Sequence, residues 1–210
     1  MFKELLDHPD VEEVLTLRGH DIPPDQRIGF MAYHGGGLEE MTEVIAMQAA
    51  ERSGTSYYGV HQPKGMERHI PSIEVSPESS TRLTSFIQHV HTVITIHGFG
   101  RQGYYSSLLL GGQHRIFAQH VGSHLRTHLP AYKVITDIDE IPKELRGLHP
   151  RNPVNLPPGA GVHRQQGERE KRGHTKSQRK CQRVAQQQSQ LGKAHLHQGE
   201  VRDLQRLQSV

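Results

Sequence analysis

"RIGFMAYHGGGLEEMTEVIA", residues 27–46, changes character twice. Ile28 to Tyr33 is an almost unbroken apolar run, the pattern of a strand covered on both faces. His34 ends the run and three glycines follow it. Leu38, Met41, Val44, Ile45 and Ala49 then recur at the helical period, with Gly54 placed as a C-cap. Strand, glycine turn and helix in that order predict the first half of a β-α-β unit. Two ionisable residues, His34 and Glu39, stand on either side of the turn.

The same theme returns at "HTVITIHG", residues 91–98, a second buried strand that also ends in His-Gly. "SYYGV" (56–60), "YYSSLLLGG" (104–112) and "YKVITDI" (132–138) predict further strands. "SPESSTRLTSFIQHV" (76–90) and "QHRIFAQHVGSHLRTHL" (113–129) predict helices. The opening "MFKELLDHPDVEEVLTL" reads only as weakly amphipathic, and Pro23 and Pro24 mark a loop. Strands alternating with helices predict an α/β fold with a mixed, mainly parallel sheet flanked by helices. Open sheets of this class gather ligands outside the carboxyl ends of their strands. If the two histidine-ended strands are neighbours, His34 and His97 converge.

Charge divides the chain at Val162. Residues 1–162 hold 14 Lys+Arg and 18 Asp+Glu, whereas residues 163–210 hold 11 and 4. The basic character therefore comes from the tail and does not argue for nucleic-acid binding by the whole chain. The tail contains 11 glutamines and no Phe, Tyr, Ile or Met. The single cysteine, Cys181, permits no intrachain disulfide, which fits a reducing compartment. The N-terminal stretch has no apolar signal core and no run reaches transmembrane length, so the chain reads as soluble and cytoplasmic, with no membrane partner.

Two histidines and a carboxylate make an open zinc site, with one coordination position left for water. The glycine turn lets Glu39 fold back beside His34, and His97 arrives from a distant part of the chain. Other readings stay open on the residues alone. A histidine at a strand end can be a satisfied structural group. A His-Gly run can form an oxyanion hole, although no G-x-S-x-G elbow accompanies it. A phosphate cradle fits poorly, because "GGGLEE" puts negative charge where phosphate would sit.

"YHGGGLEEMTEVIA", "HIPS" (69–72), "VITIHGFGR" (93–101), "LLLGG" (108–112) and "ELRGLHPRNPVNLPPGAGV" (144–162) together resemble the poly-gamma-glutamate hydrolase family, which includes phage depolymerases. That family is similar in fold to zinc carboxypeptidases. The resemblance implies zinc-dependent hydrolysis of gamma-glutamyl amides, with His34, Glu39 and His97 as metal ligands. The substrate would be a gamma-glutamyl polymer or a small gamma-glutamyl compound, whose free carboxylates suit guanidinium partners. Arg101 is the first candidate for that task, against an alternative as a loop arginine paired with an acid. Arg151, Asn152 and Asn155 are weaker candidates, with turn formation beside Pro153 as the competing reading for the asparagines. His69 reads as a supporting hydrogen-bonding group, Glu40 as solvated, and Glu43 as either supporting or exposed.

After Val162 the chain departs from the resemblance. A family-like strand would carry a glutamate general base, and the matching position here is Gln165. The composition of residues 163–210 reads best as out-of-frame translation of a GC-rich coding region. The expected organisation is a hydrolase-like domain at 1–162, truncated on its C-terminal side, and a basic, unpacked tail at 163–210. A central sheet strand and the general base are expected to be lost, with Glu168 or Glu170 as unfixed substitutes. Two alternatives to catalysis follow: an inactive remnant that keeps the metal pocket, and nucleic-acid binding through the tail. The second lacks aromatic stacking residues to support it.

Overall fold

The structure, a computed structural model, describes residues 1–158 and the backbone of a strand at Gly161–Gly167. Strand β1 (Glu12–Thr16) follows a short helix α1 (Phe2–Leu6). The stretch "IGFMAYHGG" forms β2 (Ile28–Gly36), and helix α2 (Thr42–Ser53) leads to β3 (Ser56–Gln62). Helix α3 (Thr81–His89) precedes β4 (Thr92–Phe99). Then come β5 (Ser107–Gly111), α4 (Arg115–His128), β6 (Lys133–Ile135) and β7 (Gly161–Gly167).

The seven strands form one sheet in the order β1-β3-β2-β4-β7-β5-β6. Four pairings are parallel, while β1–β3 and β5–β7 are antiparallel. This is the mixed, mainly parallel sheet expected from the sequence. Helices cover both faces. Met31, Tyr58, Val60 and Val93 pack with Leu83 and Phe86 of α3 on one side. Ala32, Tyr57, Ile94 and Ile96 pack with Ala46 and Ala50 of α2 on the other. Continuous apolar runs in β2 and β4 follow directly from burial on both faces.

Local signals set most element ends. Gly54 closes α2 in the left-handed conformation at φ 66°, and its N–H reaches the Ala50 carbonyl. Ser80 caps α3, its hydroxyl accepting from the Leu83 N–H at 2.9 Å. Helix α2 begins at Thr42 rather than at Leu38. Met41 takes φ 73°, so the segment between β2 and α2 is a separate turn.

Two expectations need correction. The opening stretch contains β1, an edge strand that its mixed polar and apolar sequence concealed. More importantly, a central strand is present beyond Val162. Residues 161–167 lie between β4 and β5, with Gln165 opposite His97 on one side and Leu109 on the other. Backbone hydrogen bonding does not require apolar side chains, so the ladder crosses the charge boundary. The expectations for Glu168, Glu170 and the rest of the tail fall outside the described residues. Among the described residues no helix is long and apolar enough to cross a membrane.

Gly29 shows how tightly β2 seats on α3. A Cβ there would lie 2.6 Å from Phe86 Cζ and 2.9 Å from Val90 Cγ1. Gly29→Ala should therefore destabilise the fold by about 1–3 kcal/mol through overpacking. Adding Phe86→Leu should recover part of that loss in urea denaturation. Fully additive losses would show that the two residues do not compete for one space.

Candidate metal centre

A register shift in the β2–β3 pairing begins the site. Ala32 pairs with Gly59, but Gly35 already pairs with His61, so β2 carries an irregularity across Tyr33 and His34. In a regular strand, adjacent side chains point to opposite faces. Here the rings of Tyr33 and His34 lie 4.6 Å apart, and both approach His97, at 4.7 and 5.1 Å between centroids. His97 comes from β4, the parallel neighbour of β2. The convergence expected of the two strand-end histidines is thus present.

The glycine turn supplies the third group. Gly36 adopts φ 77°, and a Cβ there would sit 2.1 Å from the Gln62 carbonyl oxygen. No other residue could follow that path beside β3 without moving it. The Gly37 N–H donates to Gln62 O at 2.8 Å, and the Gly36 N–H donates to Glu43 Oε2 at 2.9 Å. Glu43 therefore ties α2 to the turn, while Glu40 is exposed. The turn closes with the Glu39 N–H on His34 O at 3.0 Å and aims the Glu39 carboxylate inward.

Glu39 Oε1 lies 2.9 Å from His34 Nδ1, and Oε2 lies 3.1 Å from His97 Nδ1. The Gly98 N–H also donates to Oε2 at 3.0 Å. His34, His97 and Glu39 are only 2%, 3% and 9% exposed, so these contacts are nearly dry. The far side of each ring is held as well. His34 Nε2 is 2.8 Å from the Ile70 carbonyl, which can only accept, so that nitrogen bears a hydrogen. Tyr33 donates its own proton to Ser72 Oγ at 2.7 Å, and so accepts from His97 Nε2 at 2.9 Å. Gln62 delivers the Ile70 segment: its amide clasps both the N–H and the carbonyl of Arg68, at 3.0 and 2.9 Å.

With both Nε2 atoms engaged by these outer partners, the Nδ1 of each ring faces Glu39. Burial would raise the Glu39 carboxyl, but the facing histidines, His97 foremost, hold it well below the usual carboxylate range. Burial lowers His97, against the pull of Glu39. Burial also keeps Tyr33 protonated well beyond its ordinary range. Two imidazole nitrogens and a carboxylate therefore face one another, with potential ligand atoms within 4.8 Å. Such a set is neutralised by extra protons or by a single cation. Two nitrogens and one oxygen, oriented by outer hydrogen bonds at the opposite ring nitrogens, suit a zinc ion.

The other sequence candidates take different places. Arg101 pairs with the exposed Glu144 in the turn Lys143–Leu145. This matches the acid-paired alternative, and the Glu144 backbone N–H together with Arg101 holds that carboxyl below its ordinary value. Asn152 is buried and its side chain accepts from the Val154 N–H at 3.2 Å. Asn155 donates to the Gly147 and His149 carbonyls at 2.7 and 3.1 Å. Both asparagines build the loop on which Arg151 is exposed. His69 is exposed, with its ring 4.9 Å from that of His34. Tyr33, Ser72 and the Ile70 carbonyl were not foreseen. The only signal for Tyr33 was its place beside His34, and the register shift that recruits it has no sequence signature.

A model of the poly-gamma-glutamate hydrolase family matches residues 1–188, well past Val162. No curated protein matches the chain. Among solved structures, zinc-free apo YNDL is 20% identical with a TM-score of 0.60, over 77% of this chain and 73% of its own. A bacteriophage poly-gamma-glutamate hydrolase is 18% identical with a TM-score of 0.62, over 75% and 70%. Both share the fold described above.

The depressed Glu39 carboxyl makes a pH prediction. Its contribution to stability is complete above the unfolded value of 4.5 and is lost as pH falls below it. In chelator-treated protein, the unfolding free energy should therefore fall more steeply from about pH 4.5 downward in the parent than in Glu39→Gln. Parallel pH profiles in chemical denaturation would show that Glu39 is not held ionised by the fold.

Proposed function

The chain belongs to the poly-gamma-glutamate hydrolase family, and from that premise we propose that it hydrolyses gamma-linked glutamyl amides at a zinc ion held by His34, Glu39 and His97. The observation that carries this reading is the burial of three potential ligand atoms within 4.8 Å, two from the ends of adjacent parallel strands and one from the turn between β2 and α2. Bound there, zinc would polarise the scissile carbonyl and acidify a water toward neutrality.

The protein's own contribution is orientation and charge. Ile70 and Tyr33 fix the two rings so that Nδ1 faces inward. Glu39, kept ionised by its surroundings, supplies negative charge without a competing proton. Arg101 would receive a substrate carboxylate, exchanging it for Glu144, and Arg151 would offer a second guanidinium from the loop shaped by Asn152 and Asn155. Arginine suits this role because its planar fork takes a carboxylate with two parallel hydrogen bonds.

A second reading, a metal-pocket protein without hydrolysis, draws support from Gln165. The residue opposite His97 in the β4–β7 register cannot accept a proton from water as a glutamate would. Nucleic-acid binding through the tail has no comparable observation behind it.

Zinc analysis should find one ion per chain in the parent and a loss in both His34→Ala and His97→Ala. Unchanged zinc in the two variants would refute the ligand assignment. Gln165→Glu should raise hydrolysis of poly-gamma-glutamate by about 10²–10⁴, the usual range for general acid–base assistance. No change on a measurable parent rate would mean that another group serves as base. Arg101→Lys should weaken binding of a gamma-glutamyl ligand at constant zinc content, whereas equal affinity would remove Arg101 from recognition.

A further inference from the structure

Helix α4 carries three histidines, and two of them, His120 and His124, both exposed, stand ring to ring. Four residues return a helix to the same face. Their rings accordingly lie side by side, 4.8 Å apart between centroids and T-shaped at 73°. Ala118 and Gly122 face the core, and Phe117, Val121 and Leu125 pack against Leu108 and Leu110. The two histidines stand outside that packed face. The helix "RIFAQHVGSHLRTH" contains no Asp or Glu, so no carboxylate of α4 pairs with either ring.

We propose that His120 and His124 form a two-histidine surface clamp for a transition-metal dication such as Cu2+, Ni2+ or Zn2+, separate from the buried centre. Imidazole suits these ions, whereas Ca2+ and Mg2+ require oxygen ligands. Both backbones are already fixed by the helix, so binding orders only the ring rotamers. Two protein nitrogens leave the remaining coordination positions to water or to a donor from another molecule. Among the described residues, the buried triad is the only group of three potential ligands, so the clamp is a two-ligand site. Copper should bind it more tightly than nickel or zinc, following the general order for nitrogen donors.

The test titrates the full chain with Cu2+ alone, comparing the parent with His120→Gln, His124→Gln and His34→Ala. Glutamine keeps the helix propensity. The tail histidines His163, His174, His195 and His197 are common to all four chains, so differences report the substituted positions. Each α4 variant should lose one copper equivalent, because a single imidazole no longer clamps the ion. His34→Ala should retain that equivalent. Hydrogen exchange gives a local readout: Ni2+ should slow exchange within residues 115–128 of the parent but not of the α4 variants. Identical isotherms in the parent and the α4 variants would overturn the proposal. So would slowed exchange that persists without His120 or His124, or loss of the same copper equivalent in His34→Ala.

Discussion

Glu39 holds the ends of β2 and β4 to one point. Its two carboxylate oxygens meet His34 from one strand and His97 from the other, and the Gly98 N–H completes the set. Taking a carboxylate out of water costs several kcal/mol unless it is paired and hydrogen-bonded. Three nitrogen partners offset that cost only if the backbone delivers the side chain to this place. The tight turn through Gly36 and the left-handed Met41 follow from the same demand. Met41 is exposed, so its strained conformation is not compensated by burial of its own side chain. The turn is shaped for the carboxylate, and local comfort is secondary.

That arrangement also ranks the neighbouring residues. Tyr33 and the Ile70 carbonyl touch the outer nitrogens of the rings and determine which nitrogens face inward. Gln62 acts one step further out by fixing the Arg68 backbone. Arg101 and Glu144 form an exposed pair whose net contribution to stability is small, because surface ion pairs are screened by water and salt. Exchanging one carboxylate partner for another there costs the fold little, whereas disturbing Glu39 changes the electrostatic balance of the whole centre.

Much of this was legible in the sequence because it rests on period and punctuation. Apolar runs marked β2 and β4, glycine marked the turn and the end of α2, and the two His-Gly junctions marked the convergence. What was hidden depends on register or on backbone alone. A shifted pairing brings Tyr33 beside His34, and no composition signals it. Residues 161–167, "GVHRQQG", offer no hydrophobic pattern, yet their peptide groups pair with β4 and β5. For Arg101 the residue type limited the choice to a carboxylate partner. Only the fold could bring Glu144 to it from another loop.

The position of β7 also orders the chain in time. Among the described residues it is the last strand to be synthesised, yet it lies between β4 and β5. A chain emerging from its N-terminus can pair β1 to β4 early, while the β5-α4-β6 portion has no neighbour on its inner edge. Joining the two portions waits for a segment distant in sequence, the kind of contact that slows folding. Until then β4 keeps an open edge, and β4 carries His97. All three candidate ligands lie within the first hundred residues, so a metal ion present during synthesis would meet a complete ligand set before the sheet is closed. With a metal bound at these residues, its capture and the closure of the sheet would be separable steps, and the first would stabilise the half-sheet that awaits the second.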